Sequence, residues 1–304
     1  MTFSDVTAEV HGLYRKGRFA DAIAVALDNR DRFPSEDATF TFWEACLLSM
    51  NGTPDPALAV LREGLNRGLW WSEATLADSD LDAVRRLDSW EQLLTESATR
   101  AEAAALIRPA PRIRAANVHE PKGIVVALHG GQANPAVTAD DWEAAVPGDW
   151  RVINPVGTVP AMPNRWSWPM GADESIQAVI GQLPGVDRNR PTVLCGFSQG
   201  GRVALDLAAG AIRPQGLILI APAIRAQALP PIPDAPTMLH VGDQDWAIEG
   251  VESLAQVMDR RGTPARVERI AGFGHAMPDD LHSVVQRGLD WIASARAPDG
   301  SATG

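Results

Sequence analysis

The stretch "LCGFSQGGRVALDLA", residues 194–208, sets one serine between glycines where an apolar run gives way to a helical pattern. Packing gains nothing from a small polar residue at such a junction. Gly196, Gly200 and Gly201 would let a strand turn sharply into a helix, because only small neighbours tolerate that turn. The helix start would then direct free N–H groups and positive potential toward the Ser198 hydroxyl. A bare G-x-S-x-G arises by chance in roughly one chain in ten of this length. Its place between strand and helix is what gives it weight.

Outward from this serine, residues 109–296 alternate β-branched apolar runs with helical patterns. The runs are "GIVVALHG", "WRVINPVG", "PTVLCGFS", "GLILIAPA", "PTMLHVGD" and "ARVERIAG". Strand runs without polar alternation are buried on both faces, which predicts a parallel sheet with helices on each side. Such α/β sheets place their ligands at the carboxyl ends of the strands. The residues that follow each strand are therefore the candidates for chemistry.

A serine hydroxyl needs a base to become nucleophilic, and the base needs an acid to hold its tautomer. In a strand–serine–helix fold the chain order is Ser, acid, His. Three histidines follow Ser198: His240 inside a strand run, His282 in a helical pattern, and His275 in "GFGHAMP" after the final strand. His275 is the candidate base. "HVGDQDWAI" offers Asp243 and Asp245 as acid; Asp245 stands three residues past Gly242 and is preferred, while Asp243 suits a turn. The oxyanion donors expected are the N–H of Gln199 and that of Gly131 in "ALHGGQAN", with His129 as a structural prop. "HGGQAN" lacks G-x-G-x-x-G, so dinucleotide binding is a poor reading. Cys195 lies one step outside the elbow and reads as strand filler.

With these residues in place, residues 112–295 resemble the α/β-hydrolase fold, closest to its phospholipase/carboxylesterase branch, which is related to the dienelactone hydrolases. "GFSQGG" before a small-residue helix carries that resemblance, and "NPVGTVPAMPNRWSWPMG" (154–171) looks like the branch's substrate loop. The resemblance implies a metal-free, cofactor-free serine esterase acting on a small-molecule ester or thioester. Trp166 and Trp168 on that loop, with Trp246 and Met277 beside the acid and base, are the candidate substrate-binding residues, and an apolar, aromatic mouth favours an acyl or aromatic group. An acyltransferase or thioesterase would use the same triad. A non-catalytic interaction protein is the reading from another class, and a complete triad argues against it.

Residues 1–108 follow a helical grammar, with apolar residues spaced by three and four: Val10, Leu13 and Tyr14; Ile23, Ala26 and Leu27; Leu58, Leu61 and Leu65. "KGRFADAIAVAL" (16–27) aligns with "NGTPDPALAVLR" (51–62) at an offset of 35, matching Gly17 to Gly52 and Ala22 to Ala57. That is near the ~34-residue period of tetratricopeptide repeats, so the region resembles a short array of that kind, with 69–94 as its capping helices. Such a region offers a surface for a protein partner or for self-association. Residues 297–304 read as a flexible tail.

Composition bounds the rest. A net charge of −11 over 304 residues, without clustered Lys or Arg, argues against nucleic-acid or anionic-membrane binding. No run approaches the ~18 apolar residues of a membrane span. Two cysteines build no disulfide framework, and the N-terminus lacks a signal-peptide pattern; both fit a cytoplasmic protein.

Overall fold

In the computed structural model, residues 2–183 and 190–295 are described; the tail expected at 297–304 lies outside them. The chain divides into two compact units: residues 1–107 with 160–165, and residues 108–159 with 166–304.

The first unit carries helices α1 (Phe3–Arg15), α2 (Phe19–Arg30), α3 (Asp37–Met50), α4 (Pro54–Asn66), α5 (Glu73–Leu76) and α6 (Trp90–Ala105). Gly17 ends the turn between α1 and α2, and Gly52 the turn between α3 and α4. Both adopt left-handed backbones, φ 69° and 82°, that a β-carbon would strain. Ala22 and Ala57, matched by the 35-residue offset, are both fully buried. Between 69 and 94 the expected helices are largely absent. Ser72 and Asp78 cap their own backbone (accepting from Thr75 and Asp80 N–H), and the chain breaks into α5 and two single 3₁₀ turns before α6 begins.

The second unit is built on a seven-stranded sheet. Its strands are β1 (Arg112–Arg114), β2 (Ile124–Leu128), β3 (Arg151–Asn154), β6 (Thr192–Phe197), β7 (Gly216–Ile220), β8 (Thr237–Gly242) and β9 (Ala265–Ile270), in the spatial order β1-β3-β2-β6-β7-β8-β9. All neighbours pair in parallel except the edge pair β1–β3. Helices α7 (Pro135–Ala145), α8 (Ala172–Ile180), α9 (Gln199–Gly210), α10 (Ile248–Arg260) and α11 (Leu281–Ala295) complete it. A hairpin of β4 (Val159–Met162) and β5 (Arg165–Ser167) interrupts this unit, and its residues 160–165 group with the first.

Alternation splits the sheet's core into two layers. Ile124, Val126 and Leu128 of β2 face a cluster with Leu205 of α9 and Leu254 of α10, whereas Val125 and Ala127 face Trp142 of α7 and Val285 of α11. The chain leaves β3 and crosses β2 to form β6, so the strand order reverses between β2 and β6. That is the switch point at which an open α/β sheet leaves a crevice beyond its carboxyl ends. Ser198 and the 129–131 loop both stand there. No helix among the described residues is long and apolar enough to cross a membrane.

Candidate active site

Ser198 caps α9 with φ 51° and ψ −118°, a backbone that costs a residue with a β-carbon ~1–3 kcal/mol. Its surroundings impose it. The Ser198 N–H donates to the Ile220 carbonyl at 3.0 Å, and its own carbonyl accepts from Ala223 at 2.8 Å. A β-carbon on Gly196 would lie 2.5 Å from the Gly200 carbonyl oxygen, and one on Gly200 would lie 2.3 Å from that of Leu128. The strand can meet the helix this closely only without those side chains.

His275, in the loop after β9, places Nε2 2.8 Å from Ser198 Oγ and Nδ1 3.0 Å from both carboxylate oxygens of Asp245. With the ring proton on Nδ1, facing the carboxylate, Nε2 accepts from the serine hydroxyl. Asp245 is 3 % exposed and also accepts from the Ala247 N–H at 2.8 Å, which fixes its plane. Asp243 is exposed and turns elsewhere: its Oδ1 accepts from the Gly272 N–H at 2.8 Å and so ties the acid-bearing loop to the histidine-bearing one. Phe197 and Trp246 flank the imidazole, with ring centroids 5.4 and 5.1 Å away.

The loop after β2 is held from within. Burial pushes His129 down to about 4, so its ring is neutral. Nδ1–H donates to the Gly130 carbonyl at 2.7 Å, and Nε2 accepts from the Gly157 N–H at 2.9 Å. The Trp168 ring stacks on this imidazole at 4.8 Å, and its indole N–H donates to the His129 carbonyl. Gly131 sits against Gln199: a β-carbon there would stand 3.0 Å from Gln199 Oε1. The Gln199 amide in turn brackets the Trp168 backbone, accepting from its N–H at 3.1 Å and donating to its carbonyl at 2.8 Å.

The structure thus brings Ser198, His275 and Asp245 together and sets Gly131 beside Gln199. The four apolar candidates scatter. Trp246 is 54 % exposed beside His275, but Met277 packs with the sheet's α11-side core. Trp166 and Trp168 are 5 % and 1 % exposed, and Trp168 is a prop for the His129 loop rather than an open wall of a mouth. The sequence reading missed the flanking Phe197 and the amide bracket of Gln199. Phe197 had a signal in its place beside the serine; the bracket had none, since its partner lies 31 residues away.

Residues 2–105 match the family described as the A/B hydrolase-like, N-terminal domain. No curated protein sequence matches the chain. Among solved structures, an uncharacterized protein from Bacillus cereus is 20 % identical with a TM-score of 0.50, covering 97 % of this chain and 99 % of its own. Esterase PE8, also 20 % identical at 0.50, covers 60 % of this chain and 98 % of its own. A lipase in its open form is 15 % identical at 0.50, with 62 % and 94 % covered. The fold is that of the α/β-hydrolases.

Proposed function

We propose that the chain is a serine hydrolase of carboxylic esters, thioesters included. The observation that carries this reading is the unbroken hydrogen-bonded line from Ser198 Oγ through His275 to Asp245. In the reaction His275 Nε2 takes the hydroxyl proton as Ser198 Oγ attacks the ester carbonyl. Asp245 holds the ring and stabilises the imidazolium. The oxyanion that develops is met by the N–H groups of Gln199, at the start of α9, and of Gly131. His275 then protonates the departing alcohol, and water, activated by the same ring, releases the acid and restores the serine.

The neutral His129, stacked on Trp168 and bonded at both nitrogens, supports this role by fixing the backbone that carries Gly131. In the helical region, the matched turns at Gly17 and Gly52 support a reading as two tetratricopeptide-like repeats, a surface for a partner or a second copy. Hydrolysis of p-nitrophenyl esters and thioesters of graded chain length tests the proposal. Turnover that depends on Ser198, His275 and Asp245 is expected; turnover indifferent to all three overturns it.

A further inference from the structure

Directly after β7, the strand beside the elbow, the chain makes a short, tightly held excursion. The Ala223 N–H donates to the Ser198 carbonyl at 2.8 Å, Ile224 N–H to Pro222 at 2.7 Å, and Ala228 N–H to Arg225 at 3.0 Å. A β-carbon on Gly250 would stand 2.3 Å from the Ile224 carbonyl oxygen, so the segment is pressed against the start of α10. Position 225 is therefore fixed by the same turn that shapes the nucleophile. The Arg225 side chain is exposed, and its guanidinium lies over the Trp246 ring, 6.0 Å from the centroid. Trp246 in turn tilts against His275.

Elsewhere in this unit Arg112, Arg202, Arg266, Arg269 and Arg287 each pair with a carboxylate, and Arg114 with backbone carbonyls. Arg225 is set apart from the other unpaired arginines by its place against the ring beside His275. Arg225 pairs with none among the described residues; the nearest acid to the reaction, Asp245, is already held by His275 and Ala247. A guanidinium stacked on an aromatic face keeps its in-plane N–H groups free for a planar bidentate acceptor. In a chain of net charge −11, Arg225 puts a positive charge one ring away from the base.

Resting on the esterase reading, we infer that Arg225 selects substrates whose acyl group ends in a carboxylate: half-esters of short dicarboxylic acids, with the chain lying along Trp246 and the free carboxylate on the guanidinium. The pair forms at the rim, so salt weakens it, and it acts on capture of the substrate more than on the chemical step.

The test compares mono-p-nitrophenyl glutarate with neutral p-nitrophenyl butyrate on the full chain, wild type and Arg225→Gln, at low and high salt. The expected result is a five- to twentyfold fall in the glutarate-to-butyrate ratio of kcat/KM for Arg225→Gln, carried by KM. Arg225→Lys should restore part of it, and 0.5 M salt should shrink the wild-type advantage. An unchanged ratio overturns the proposal and leaves the esterase reading standing. Equal losses on both esters, with KM unmoved, do the same by making Arg225 merely structural. A wild-type protein that turns over neither ester overturns the esterase reading, and the proposal with it.

Discussion

At the scale of single residues, the elbow sets function against stability. Ser198 holds a left-handed backbone, and glycine would occupy the same φ without strain. Ser198→Gly should therefore raise the free energy of chemical unfolding by on the order of 1 kcal/mol while abolishing ester hydrolysis. A destabilised, inactive variant would mean that the hydroxyl also holds the fold. The two aspartates separate in the same way. Asp245→Asn should lower kcat on the order of 10⁴-fold by favouring the wrong tautomer of His275. Asp243→Asn keeps an oxygen for the Gly272 N–H and should change kcat little. Steady-state kinetics of both variants check this, and a reversed ranking would move the acid to Asp243. Burial shifts His240 downward and pushes His129 down to about 4, so the folded His129 holds the neutral ring. The unfolded chain then takes up the protons first. The His129 contribution, on the order of 3 kcal/mol, is complete above about pH 6.5 and is lost as pH falls toward 4, and that of His240 is lost in the same direction. Urea midpoints measured across that window should fall with pH.

At the scale of elements, what could be read in the sequence followed from length and apolarity. Four of the parallel strands, β2, β6, β7 and β8, announce themselves as unbroken apolar runs because both faces are buried. The edge strand β9, "ARVERI", instead alternates with charged residues and has no fully buried position. β1 shows no such run, since "RIR" is three residues with two arginines that bond Glu143 and backbone carbonyls around α7. The β4–β5 hairpin is as short and holds two prolines within "VPAMPNRWS", so a loop was the natural reading. Ser198, Asp245 and His275 were legible because each follows a strand in a fixed order. The amide bracket from Gln199 and the stack of Arg225 on Trp246 depend on segments brought together by the fold, and no local pattern marks them. The bracket has its own consequence. Gln199→Met keeps the backbone N–H and the bulk but drops both bonds to Trp168, and should lower kcat by roughly ten- to a hundredfold with little change in KM. An unaltered kcat would show that the 157–170 segment holds its place without Gln199.

For the whole molecule, the two units are not two consecutive lengths of chain. Residues 160–165 lie within the second unit's sequence, yet Met162 is 2 % exposed in a core cluster with Phe42, Leu61 and Trp71. Ala161 accepts from Ser72 N–H and Thr75 Oγ1, and Arg165 bonds the Glu36 carboxylate. A cut near residue 108 therefore removes the packing partners of a segment that stays behind. Met162→Ala in the full chain should destabilise the helical unit by about 2–5 kcal/mol, read in the thermal unfolding of that unit. A change near zero would mean that the hairpin tip adds little to that core. The fold alone leaves the chemistry open, because α/β-hydrolase scaffolds carry many reactions and function lives in the site. The claim that matters most is that Ser198 is an activated nucleophile. Its most direct test is mass spectrometry of the intact and digested protein after treatment with a fluorophosphonate. One adduct per chain on the peptide bearing Ser198, lost in Ser198→Ala and formed far more slowly in His275→Ala, is the result expected. A folded protein that takes no adduct, or takes it at another residue, would contradict the account.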